Sequence, residues 1–174
     1  MADLKKYSFN KYSNKYGQLF NEEKTKLKNI FPRVKIEHVG STSIPGLGGK
    51  GIIDIAIKTP RNKLNQFLKK LEGLGYKYNK EHPRNDESVF LQKRIRYDGK
   101  ERRIHIHLTL DDKFWNSFIV VRDYLRNHDK ECDNYTRIKK EAIKHAKGEG
   151  KKYRKYKNPF LEKILKLALK EHSK

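Results

Sequence analysis

One stretch constrains this chain more than any other. From His38 to Ile57 it reads His-Val-Gly-Ser-Thr-Ser-Ile-Pro-Gly-Leu-Gly-Gly-Lys-Gly-Ile-Ile-Asp-Ile-Ala-Ile. In a chain that is 36% charged, this run packs glycines, three hydroxyls and one lysine ahead of a strand-like isoleucine segment. Glycines let backbone approach a ligand, and hydroxyls and exposed N–H groups bond anionic oxygens. The run therefore reads as a phosphate-binding turn that delivers Asp54 to a metal or a substrate. It is not a P-loop, because Lys50 is followed by Gly51, and it lacks the GxGxxG spacing. Asp54 sits inside an isoleucine strand, where a carboxylate must be paired, metal-bound or facing a cleft.

The remaining chain supplies elements to hold such a site. Apolar spacing predicts a helix over 7–31, broken near Ser13-Asn14 and ended by Pro32. Strands are expected over Val34–Val39 and Ile52–Ile57, with Ser41–Ser43 capping a short helical turn between them. Leu64, Phe67, Leu68, Leu71 and Leu74 form a helical stripe closed by Gly75. A strand is expected to begin at Tyr76–Tyr78, ahead of a polar, turn-rich segment over Asn79–Ser88. Two strands, Val89–Tyr97 and Arg103–Leu110, flank the hairpin signal Asp98-Gly99. Helices are predicted over about 114–127, 129–146 and 158–172. The order gives an α+β fold: one domain over 1–174, with an α/β core to about residue 112 and a helical, basic part from about 113.

Strand parity gathers the polar residues. With the isoleucines turned to the core, Asp54, Ala56, His105 and His107 fall on the opposite face, with Gln92, Arg94 and Arg96 beside them. Two imidazoles at i and i+2 can share a metal. Arg122 and Arg126, four apart, reach one anion or pair locally with Asp123.

Three motifs resemble the GrpB-like family of the nucleotidyltransferase superfamily: the glycine-rich stretch itself, Arg103-Ile-His-Ile-His-Leu108, and Phe118-Ile-Val-Val-Arg-Asp-Tyr-Leu-Arg126. The spacings Tyr135…Lys139 and Tyr156-Lys157…Phe160 are also similar, and the resemblance runs over about residues 14–170. It implies a polymerase-β-like core with a small mixed sheet. Gly40 and Ser41 match the superfamily's Gly-Ser turn and Asp54 its first metal-binding acid. Position 56 is alanine where that pattern has a second acid, and His105 and His107 occupy the strand of the third. The expected phosphate-binding set is Gly40, Ser41, Thr42, Ser43, Lys50, Arg94 and Arg96. Asp54, His105 and His107 are the expected catalytic and metal-binding set, with Mg²⁺ or Mn²⁺ the expected ion. The expected activity is transfer of a nucleotidyl group from a nucleoside triphosphate to an acceptor. The alternative is a module without that chemistry that binds RNA or nucleotide.

Charge points to the same partners. The net charge of +21 favours polyanions, and residues 137–174 hold fourteen Lys or Arg against four Glu. Tyr153 and Tyr156 interleave with that basic run, a pattern that suits single-stranded RNA. Cys132 is the chain's one cysteine, so neither an internal disulfide nor a cysteine-based zinc cluster is expected. No apolar run approaches a membrane span of roughly 20 residues. The N-terminus lacks a secretion signal, and a cytoplasmic location is expected.

Overall fold

A computed structural model describes residues 8–78, 85 and 87–173. Tyr7 and most of the expected turn after Tyr78 lie outside the described residues. The elements are α1 (Lys15–Ile30), β1 (Ile36–Val39), β2 (Ile53–Lys58), α2 (Leu64–Gly73), β3 (Lys77–Tyr78), β4 (Ser88–Tyr97), β5 (Lys100–Thr109), α3 (Asp112–Asn127), α4 (Asp129–Ala146) and α5 (Gly150–His172). The five strands form one mixed sheet in the order β1-β2-β5-β4-β3. Only β2 and β5 run parallel; the other neighbours are antiparallel. This is the α+β architecture that the order of elements predicts.

Alternation decides which face is core. Ile53, Ile55 and Ile57 of β2, Ile104, Ile106 and Leu108 of β5, and Val89 and Leu91 of β4 are all fully enclosed. They pack against Leu19 and Leu27 of α1 and Phe67 and Leu71 of α2. Charge is also buried here: the Glu23 carboxylate accepts a hydrogen bond from Tyr76 Oη at 2.8 Å and pairs with the Lys93 ammonium. The opposite face of the sheet carries the polar residues and is covered by α3, through Trp115, Phe118 and Ile119 against Val39 and Ala56.

Two local features bear on the site. The β4–β5 hairpin turns on Asp98 and Gly99, both at positive φ (50° and 70°), as a two-residue turn of that composition requires. Helix α5 begins at Gly150, eight residues before the expected start, and Pro159 lies inside it. Proline is favoured at a first helical position, so Asn158-Pro159 resembles a helix start. Buried Tyr153, packed on Ala142 and Ala146 of α4, holds the extra turns in place.

His38 couples β1 to the glycine turn. Its ring stacks on Phe20 (centroids 4.6 Å apart), and Nε2 lies 3.0 Å from Thr42 Oγ1. The Thr42 hydroxyl spends its proton on the Ile52 carbonyl, so His38 Nε2–H donates to it. Burial, reinforced by Arg126 and Arg122 against the pull of Asp54, pushes His38 down to about 4. The folded pKa lies below the unfolded value, so the unfolded chain binds more protons between pH 6.5 and 4. The stability held above pH 6.5 is therefore lost as pH falls toward 4. Urea titrations should show wild type losing about 2 kcal/mol more than His38→Gln between pH 7 and 4.5; parallel losses in the two proteins would remove His38 from this role.

Candidate active site

The turn after β1 is shaped by contacts that leave no room for side chains. Gly40 has φ 69°, and a Cβ there would sit 2.6 Å from Asp54 Oδ2. Residues Ser41–Ser43 form a single 3-10 turn, closed by hydrogen bonds from Ser43 N and Ser43 Oγ to the Gly40 carbonyl (3.2 and 2.6 Å). From α3, Arg126 donates to the Ser43 carbonyl at 2.7 Å, and Arg122 bonds Glu37, Asp123 and the His38 carbonyl. These two arginines therefore brace the turn. Thr42 and Ser43 are buried and bonded inside it, so they shape the turn from within and do not line the cavity.

Asp54 leaves β2 on the face opposite the core, and the parallel register sets it beside His105. Its Oδ1 lies 3.3 Å from His105 Nδ1 and 3.1 Å from His107 Nε2. A carboxylate only accepts, so the ring nitrogens facing it carry the protons. Burial acts to raise Asp54, but the hydrogen bonds and charge of His105 and His107 outweigh it and hold the carboxyl well below the usual range. Burial lowers His105 despite the pull of Asp54. The cluster is thus one carboxylate held by two imidazoles.

Among the described residues, no group of three or more His, Cys, Asp or Glu is arranged to hold an ion. The position of a second acid is closed as well, because Ala56 is fully buried under Trp115. The three expected metal ligands do converge, but as a hydrogen-bonded set.

Around them lies a cavity of about 770 Å³ lined by Gly40, Ser41, Lys50, Asp54, His105 and His107. Arg94 and Arg96 do not join these residues. They share strand parity with Phe90, which does line the cavity, but at ~3.4 Å per residue Arg94 stands well beyond it toward the hairpin turn. Both are exposed, and Arg94 pairs with Glu101 at 2.9 Å.

Their place is taken by side chains of the C-terminal helices. Lys139 of α4 and Arg154 and Lys157 of α5 line the cavity. Lys139 is only 2% exposed, and its Nζ has no hydrogen-bond partner among the described residues. The ammonium lies over the Tyr135 ring, 4.6 Å from its centroid. A Cβ on Gly49 would stand 2.9 Å from Lys139 Nζ and 3.0 Å from Ser41 Oγ, so amine and hydroxyl meet across that glycine. Burial first, then the charge of Lys157, pushes Lys139 and Lys50 down to about 7, and burial lowers Lys157. A signal for Lys139 exists in the sequence: Cys132, Tyr135, Lys139, Ala142 and Ala146 are the buried stripe of α4, with the lysine in its middle.

The chain is similar to known proteins. The sequence profile described as GrpB protein matches residues 7–167. The UPF0157 protein PA4798 of Pseudomonas aeruginosa is 34% identical over 79% of this chain, and the match spans 57% of that protein's length. The crystal structure of conserved protein GrpB from Enterococcus faecalis superposes with a TM-score of 0.80 at 28% identity, covering 96% of this chain and all of that one. A cytoplasmic RNA terminal U-transferase superposes with a TM-score of 0.50 at 16% identity, covering 79% of this chain and 42% of that one, a likeness of fold alone. The mixed sheet and the flanking helices are a nucleotidyltransferase fold, and the chain belongs to the GrpB protein family.

Proposed function

We propose that this protein binds a nucleoside triphosphate in the cavity and transfers its nucleotidyl group to an acceptor. The observation that carries the reading is the buried ammonium of Lys139 beside Ser41 and Gly49, which has no hydrogen-bond partner among the described residues. A buried cation without a partner is costly, and a phosphate oxygen is the partner this geometry suits. Lys50, Lys139 and Lys157 would hold the phosphate chain with Ser41, and Asp54 would fix the two histidines beside the α-phosphate. Magnesium or manganese belongs to this reading as the counter-ion that the triphosphate brings with it. A cytoplasmic setting, where triphosphates are made, is part of the proposal; among the described residues no helix is long and apolar enough to cross a membrane.

One observation favours a second reading, a module that binds nucleotide or RNA without turnover. Ala56 is enclosed beneath Trp115 where two-metal transfer would need a carboxylate. Exposed Tyr156, stacked on His145 (centroids 4.7 Å apart) among the lysines of α4 and α5, would then meet an RNA strand.

Calorimetry separates these readings. ATP or UTP with Mg²⁺ should bind wild type and lose at least tenfold in affinity with Lys139→Met; equal affinity in the variant would contradict the phosphate assignment. Anion binding needs Lys139 and Lys50 charged, and burial brings both down to about 7. Affinity should therefore fall as pH rises from 6 to 8.5, with protons taken up on binding. A pH-independent affinity in buffers of different ionisation enthalpy would count against it. Asp54→Ala should abolish turnover under the transferase reading; under the second, RNA affinity should survive that change and fall steeply with salt. Introducing the missing acid as Ala56→Asp should cost about 3 kcal/mol of stability in urea titrations, since it buries an unpaired carboxylate. A neutral effect would show that the pocket under Trp115 can open.

A further inference from the structure

Charged and aromatic side chains separate within the cavity. Across the sheet, Gly40 and Ser41 follow β1, Asp54 stands on β2, His105 and His107 on β5, and Phe90 on β4. The register aligns Val39 with Asp54, Asp54 with His105, and Phe90 with His107. Neighbouring strands lie ~4.8 Å apart, so Ser41 and Lys139 are on one side of Asp54 and the histidines and Phe90 on the other.

On that second side the lining turns aromatic. The Phe90 ring lies 4.7 Å from His105 and 5.3 Å from His107, and Phe118 lies 4.9 Å from His107 and 5.1 Å from Phe114. All three phenylalanines are half-buried and line the cavity. Arg122 is the cation that β4, β5 and α3 contribute to the lining, and its guanidinium is committed to Glu37, Asp123 and the His38 carbonyl. His105 Nε2 is enclosed with no hydrogen-bond partner among the described residues, while its Nδ1 faces Asp54.

We propose that this aromatic end is the acceptor subsite, and that it takes an uncharged hydroxyl compound presenting an aromatic ring. The inference rests on the nucleotidyl-transfer reading above. In-line displacement puts the attacking oxygen opposite the leaving group. With the β- and γ-phosphates on the lysine side of Asp54, the acceptor must approach from the histidine side. Its oxygen bonds to the α-phosphorus as the bond from that phosphorus to the bridging oxygen of the β-phosphate breaks. Pyrophosphate leaves toward Lys139, Lys50 and Lys157, and the hydroxyl proton passes to His105 Nε2. Aromatic rings pack well between Phe90, Phe114 and Phe118. A nucleic-acid end would bring phosphodiesters that need cations; among the described residues β4 and β5 contribute none to this lining, and Arg122 of α3 is committed to Glu37, Asp123 and the His38 carbonyl.

The test uses two separate measurements on the full chain. Calorimetry with ATP and Mg²⁺ comes first; absence of binding there sinks the transferase reading itself. Phenyl β-D-glucoside is then titrated into isotope-labelled protein and followed by NMR. Shifts should centre on Phe114, Phe118 and His105, and Phe114→Ala should weaken the glucoside at least fivefold while ATP affinity stays within twofold. Phe90→Leu, a milder change, should weaken the glucoside in the same direction. With ATP binding intact, glucoside shifts that are absent or centred elsewhere overturn the acceptor assignment. So does a uridine oligonucleotide that perturbs these phenylalanines where the glucoside does not.

Discussion

A buried ammonium group without a hydrogen bond among the described residues is the constraint around which the site is built. Lys139 reaches inward from the apolar stripe of α4, and the fold meets its charge with the Tyr135 ring, the distant carboxylate of Asp54, and a pKa drawn down to about 7. Glycine at position 49 keeps the space in front of the amine open. A side chain there would displace either Lys139 Nζ or Ser41 Oγ. The turn's glycines thus serve the helical part of the chain as much as the sheet.

The other half of the site is set by Asp54. Its Oδ2 packs against Gly40, which only glycine permits, and its Oδ1 faces two histidines. The carboxylate has few directions left in which to bind anything else. Trp115 closes the place of a second acid by packing on Val39 and Ala56. The nucleotidyltransferase fold is retained here with apolar packing around position 56, so the proposed transfer would lean on cations and imidazoles to a greater degree than on carboxylates.

Much of this was legible in the sequence, for reasons that can be named. Strand parity placed Asp54, His105 and His107 on one face, because a period of two admits little else once the isoleucines are core. The same parity failed for Arg94 and Arg96, since it fixes a face but not a distance along the strand. Thr42 and Ser43 belong to the turn, yet their hydroxyls are consumed by its internal hydrogen bonds. The spacings Tyr135…Lys139 and Tyr156-Lys157…Phe160 marked these two lysines as part of the family resemblance but gave them no place in the site, because charge in a strongly basic tail argues for solvent. Only the packing of α4 on α5 turns them inward. The early start of α5 was masked by Pro159, which reads as a helix start until Tyr153 is seen to be buried.

The central claim is that the phosphate chain of a nucleotide satisfies Lys139. A crystal of this protein soaked with a non-hydrolysable triphosphate tests it most directly. The account predicts phosphate oxygens within hydrogen-bonding distance of Lys139 Nζ and Ser41 Oγ, with the α-phosphate beside Asp54 and His105. Triphosphate bound elsewhere, with the Lys139 amine still unpartnered, would contradict it.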